Sequence, residues 1–116
     1  MSKLATSDIE MLEDRSEEVA AILSLIANPA RLRILCLLAE GEMQVGALAE
    51  RVGLSQSALS QHLAKLRAGG AVETRRDRQT IYYRLAPGDV RSVMESLYEI
   101  FCEPERERAG KGMAQT

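Results

Sequence analysis

At 116 residues the chain has room for one domain, and a domain this small buries only a modest share of its surface, which favours self-association. One Phe, three Tyr and no Trp beside abundant Ala and Leu point to a helix-rich fold, and no apolar run approaches the roughly 18 residues of a membrane span. The formal net charge of −2 argues against a nucleic-acid binder only until its distribution is read. Residues 1–28 carry two basic and six acidic groups, 29–54 three of each, 55–85 six basic and two acidic, and 86–116 four basic and six acidic. All the positive excess lies in one stretch, as expected if that part alone faces phosphates. Met1-Ser2-Lys3 followed by acidic residues does not read as a secretion signal, so the expected compartment is the cytoplasm, where cysteines rest as thiols.

In chain order, Ile9, Leu12, Val19, Ile22, Leu23 and Ile26 recur at helical spacing and predict one amphipathic helix from about Asp8 to Ala27. Asn28-Pro29 closes it and opens the next, with Asn28 as N-cap and Pro29 in the first helical position. That second helix, Pro29 to about Glu40, is apolar on many sides (Leu32, Ile34, Leu35, Cys36, Leu37, Leu38) and belongs at the centre of the fold. A short helix from about Val45 to Val52 turns Leu48, Ala49 and Val52 inward. Gly53-Leu54-Ser55 then makes a tight turn into a helix that runs to about Ala68, with Leu59, Leu63 and Leu66 as its buried stripe and Gly69-Gly70 as its stop. Two strands follow, about Val72–Arg76 and Thr80–Leu85, joined by a tip, Asp77-Arg78-Gln79, that contains no glycine to define its turn. Asp89 is placed to cap a final helix to about Cys102, and Pro104 to end it. Residues 1–104 are expected to form the single domain and 105–116 a disordered tail.

Two helices joined by a tight turn and followed by a basic hairpin form a winged helix-turn-helix, mainly α with a small β-hairpin. Gln56, Ser57, Ser60 and Gln61 give the exposed helix short polar groups that suit base edges. Lys65, Arg67, Arg75, Arg76, Arg78 and Arg84 suit phosphates, which supply affinity rather than sequence choice. The first and last helices carry more apolar surface than a small core needs and are the natural dimer surface.

At this point the chain resembles a known family. Asn28-Pro29-Ala30-Arg31-Leu32-Arg33-Ile34-Leu35, Leu54-Ser55-Gln56-Ser57-Ala58-Leu59-Ser60-Gln61-His62-Leu63 and Ile81-Tyr82-Tyr83-Arg84-Leu85 are similar to the ArsR/SmtB repressors, over about Ile22 to Cys102. The resemblance implies a homodimer built on the first and last helices that binds inverted-repeat double-stranded DNA and releases it on meeting an inducer. Its two recognition helices would stand roughly 34 Å apart.

Metal-sensing relatives place ligands where this chain has none. Glu42-Met43-Gln44-Val45-Gly46-Ala47 holds no Cys, and the last helix offers Asp89, Glu95 and Glu99 without His. His62, the one histidine, lies beside the buried stripe and suits a structural role or a phosphate contact. No metal, cofactor or catalytic residue is expected. The residues alone leave Cys36 and Cys102 open between small core hydrophobes and reactive thiols. One Cys in the second helix and one in the last resembles the persulfide-sensing subgroup, which includes the biofilm growth-associated and sulfide-responsive repressors. This implies that persulfide or polysulfide joins Cys36 to Cys102 by a disulfide or polysulfide bridge, that DNA is released, and that sulfide-detoxification genes are derepressed. The alternative within the family is a repressor sensing arsenite or a heavy metal through the same thiols. A thiol enzyme finds no support, since the chain has no Cys-x-x-Cys and no plausible Cys/His pairing. A purely protein-binding winged helix would leave the basic surface without a task.

Overall fold

The computed structural model describes residues 5–108. Its elements are α1 (Thr6–Asp14), α2 (Ser16–Ile26), α3 (Pro29–Glu40), β1 (Met43–Gln44), α4 (Val45–Val52), α5 (Gln56–Ala68), β2 (Val72–Asp77), β3 (Thr80–Leu85) and α6 (Asp89–Leu97). A π-helical segment, Tyr98–Cys102, continues α6, and residues 103–108 are again α-helical. This is a winged helix-turn-helix: α4 and α5 form the helix pair, and β2 and β3 the wing.

The boundaries follow local chemistry. The Asn28 side chain accepts from the Arg31 N–H at 3.0 Å and Pro29 fills the first turn of α3, where a missing N–H costs nothing. Gly53 ends α4 in the left-handed region (φ 78°), and Ser55 caps α5 by accepting from the Ala58 N–H at 3.2 Å. Ile34, Leu35 and Leu38 of α3 are buried with Leu48, Val52, Leu59, Leu63, Leu66, Val72, Leu85, Val90 and Met94 in one core. α3 touches α2, α4, α5, α6 and β3, the central place its composition calls for.

Several boundaries differ from the sequence reading. The single helix expected over Asp8–Ala27 is broken at Arg15 (φ −105°, ψ 19°), whose guanidinium forks onto Glu18 at 2.9 and 2.8 Å in the first turn of α2. No Pro or Gly marks the break, so the apolar period runs through it unaltered. β1 was not anticipated, because two residues leave no period; it pairs antiparallel with β3, Met43 opposite Tyr83 and Gln44 opposite Tyr82, in a sheet of order β1-β3-β2. β2 extends to Asp77, which pairs with Thr80 and leaves Arg78-Gln79 as a two-residue loop. Arg78 takes the left-handed conformation (φ 61°), at a cost of about 1 kcal/mol for a residue with a Cβ. Gly88 (φ 136°), not Asp89, is the N-cap of α6, and Asp89 stands in the first turn, where its carboxylate complements the helix dipole.

Pro104 does not end the last helix, which continues to Arg108. A proline ring clashes with the carbonyl four residues back, here Ile100, and supplies no N–H. The turn before it widens instead: the Glu103 N–H bonds to the Tyr98 carbonyl, five residues away. Residues 105–108 of the expected tail are thus helical, and 109–116 lie outside the described residues. Among the described residues no single helix is long and apolar enough to cross a membrane; α2 and α3 reach that composition only as a pair bent by 86°.

Candidate nucleic-acid interface and thiol pair

Turning Leu59, Leu63 and Leu66 inward leaves the opposite side of α5 to solvent, since residues advance about 100° each around a helix. Ser57 and Gln61 point directly away from the stripe and Ser60 and Lys65 flank them, while Gln56 and Arg67, nearer the stripe at the two ends of the helix, are exposed as well. Tyr83 of β3 leans over the carboxyl-terminal half of α5 and closes a shallow groove with Ser60, Ala64, Arg67 and Ala68. Helix and wing therefore meet along one groove of mixed polar and apolar lining.

The wing cations do not form one class. Arg75 donates to both carboxylate oxygens of Glu42, at 2.6 and 3.1 Å, and lies 4.5 Å above the Tyr82 ring. The Arg75 hydrogen bond holds the Glu42 carboxyl below the usual carboxylate range. Arg84 pairs with Glu73, directly opposite it in the ladder, at 2.7 Å. Glu73, Arg75, Tyr82 and Arg84 alternate out of the sheet on the face away from Tyr83 and the groove. Arg76 and Arg78 are exposed and have no carboxylate partner among the described residues, and the same holds for Lys65 and Arg67. In sequence the six cations are equivalent; the fold divides them into four open ones and two neutralised ones. Glu42 was not singled out as a partner, and no local signal could have done so, since it lies 33 residues from Arg75.

Behind α5, His62 is half-buried and its Nδ1 stands 3.4 Å from an Arg31 guanidinium nitrogen.

Cys36 and Cys102 are both unbridged and exposed. Cys36 stands about 150° around α3 from the buried stripe of Ile34, Leu35 and Leu38, so the core places it outward despite its apolar neighbours. Cys102 closes the π-helical segment. Partial burial pushes the Cys36 thiol up from its ordinary value, and charge on Cys102 and then on Glu40 adds to the rise. Charge on Cys102 is thus felt at Cys36, although 66 residues separate the two in sequence. No three His, Cys, Asp or Glu side chains gather into a cation site among the described residues.

Apart from Ile81 on the wing, the exposed large apolar side chains among the described residues are Ile9, Met11 and Leu12 of α1, Leu23 of α2, and Tyr98, Ile100 and Phe101 of the π-helical segment. They belong to the first two helices and the last, with Cys102 next to Phe101.

Comparison with known proteins places this architecture. The model of the bacterial regulatory proteins of the arsR family matches residues 28–74. The transcriptional activator HlyU of Vibrio cholerae is 43% identical over 101 residues, covering 87% of this chain and 94% of its own. The structure of the transcriptional repressor BigR of Xylella fastidiosa superposes with a TM-score of 0.74 at 44% identity, covering 80% of this chain and 95% of its own. A homodimeric winged helix-turn-helix DNA-binding domain of Mycobacterium bovis gives a TM-score of 0.67 at 33% identity, covering 93% and 95%.

Proposed function

The chain belongs to the ArsR family of bacterial regulatory proteins, and from that premise we propose that it is a homodimeric, cytoplasmic DNA-binding repressor whose inducer is persulfide or polysulfide. Gln56, Ser57, Ser60 and Gln61 read base edges of an inverted-repeat operator, and Lys65, Arg67, Arg76 and Arg78 hold its phosphates. Exposed apolar side chains on α1, α2 and the π-helical segment support a two-fold dimer, as does the homodimeric relative.

The observation that carries the sensing reading is the thiol pair: Cys36 and Cys102 are unbridged and exposed, and charge on Cys102 is felt at Cys36. A thiolate takes the outer sulfur of a persulfide RSSH and releases RSH. The second thiol attacks the resulting cysteine persulfide and expels hydrogen sulfide. The sum is two thiols plus RSSH giving a disulfide, RSH and H2S; a second RSSH leaves one more sulfur in the bridge and a second RSH. Either bridge ties α3 to the helix that carries Tyr98, Ile100 and Phe101. A strain of about 1.4 kcal/mol per protomer transferred to that dimer face already weakens operator binding about tenfold per site.

The test is fluorescence anisotropy on DNA from the protein's own promoter, before and after a persulfide donor. Tight binding that weakens on treatment and recovers with a thiol reductant is expected. Cys36→Ser and Cys102→Ser should bind as well as the parent and fail to release. Loss of binding by either reduced variant would make the cysteines structural, and release by arsenite but not by persulfide would favour the metalloid reading.

A further inference from the structure

The carboxyl-terminal end of α2 has an accounting problem that Arg31 solves. The Ala27 N–H bonds to the Leu23 carbonyl, and the Asn28 N–H turns to Ile26, leaving the Ser24 carbonyl without its helical donor. The Leu25 carbonyl would take its bond from residue 29, which is Pro29 and has no N–H. Arg31, in the first turn of α3, reaches back and donates to both, at 3.1 Å to Ser24 and 2.8 Å to Leu25. A cation at this end of a helix also suits the dipole. The same guanidinium then meets His62, in the middle of α5, at 3.4 Å.

A second contact joins the same two helices. Gly69, just past α5, has an ordinary φ of −85°, so its backbone does not require glycine. Its effect is on space: a Cβ there would overlap a terminal methyl of the Leu25 side chain of α2 and push that side chain aside. Leu25 thus seats its side chain against the end of α5, while its carbonyl is held by the arginine that touches the helix centre.

We propose that Arg31, His62 and Gly69 form a joint that makes the recognition helix follow α2, so that they are positioning residues for the spacing of the two operator half-sites. This rests on the DNA-binding, dimeric reading above. α2 exposes Leu23 on the proposed dimer face, so a fixed angle between α2 and α5 in each protomer sets how far apart the two α5 helices stand. Arg31 contributes by orientation and not by charge on DNA. Its loss should therefore blur the preference for one half-site spacing without changing the number of phosphates engaged.

The full-length protein would be used to select a duplex of about 40 base pairs from a randomised pool, and that duplex would be compared with one carrying two extra base pairs at its centre. Arg31→Met should reduce discrimination between the two by about tenfold or more, leave the salt dependence of binding unchanged, and recover in part as Arg31→Lys, which keeps donors for the carbonyls. His62→Leu should act in the same direction, and it decides the matter if circular dichroism shows that Arg31→Met has lost its helical fold. Discrimination equal to the parent's in the folded variants would overturn the joint. A shallower salt dependence would do so too, by making Arg31 a phosphate ligand. A parent protein that selects no duplex would instead overturn the DNA-binding reading itself.

Discussion

The division of the basic surface into open and neutralised cations can be counted in a salt titration. Lys65, Arg67, Arg76 and Arg78 have no carboxylate partner among the described residues, whereas Arg75 and Arg84 are held by Glu42 and Glu73. A two-fold dimer would then engage about eight phosphates, for a slope of log affinity against log salt of about −7; six cations per protomer would give about −11. Between 50 and 200 mM salt the first case predicts a loss of about four orders of magnitude in affinity and the second more than six. Glu42→Gln removes the partner that fixes Arg75 and should steepen the slope by up to about 2, one arginine from each protomer, and tighten binding at low salt. Removing Arg84 and Glu73 together, to Ala, leaves the net charge unchanged and should leave the slope unchanged. Arg76→Ala should flatten it by about 2. Anisotropy titrations at five or so salt concentrations give each slope. A parent slope near −11 that falls when the Arg84–Glu73 pair is deleted would refute the argument, because it would mean that both cations leave their carboxylates for DNA.

Other consequences follow from burial and charge. Leu63 is 1% exposed at the centre of the α5 stripe, so Leu63→Ala should cost about 3–5 kcal/mol in urea unfolding with little change in m, and a cost below about 1 kcal/mol would contradict the packing described. Because burial, Cys102 and Glu40 all disfavour the Cys36 thiolate, alkylation of Cys36 followed against pH should have a midpoint above that of an ordinary thiol, and Cys102→Ser should move it down. The linked stability is present below the pH at which the unfolded thiol ionises and is lost as pH rises through the folded value, so the parent should weaken more than Cys36→Ser in alkaline denaturation. Phe101 is 67% exposed; if the dimer covers it, Phe101→Ala removes about 1.5–3 kcal/mol twice across the two-fold axis and should raise the dimer dissociation constant by two to four orders of magnitude in sedimentation. An unchanged constant would place the dimer face elsewhere.

Local chemistry decides a large part of this protein before any long-range contact forms. The Asn28-Pro29 start of α3, the Gly53–Ser55 turn and the Leu59, Leu63, Leu66 stripe are written in neighbouring residues, because caps, left-handed glycines and helical periods act over a turn or two. With these, the sequence alone determined the winged helix-turn-helix, the polar outer face of α5 and the stretch that holds the positive charge. What it left undetermined depends on partners distant in the chain. The pairing of Glu42 with Arg75, the meeting of Arg31 with His62, and the influence of Cys102 charge on Cys36 each join residues 31 or more positions apart. β1 exists only because β3 is there to receive its hydrogen bonds, and the widened turn before Pro104 only because the helix continues past it. Cys36 is the clearest case: its neighbours in sequence are apolar and suggest a core position, yet the core is assembled on the other side of α3. Periodicity names the residues that form a stripe; only packing decides which of them the stripe leaves in water.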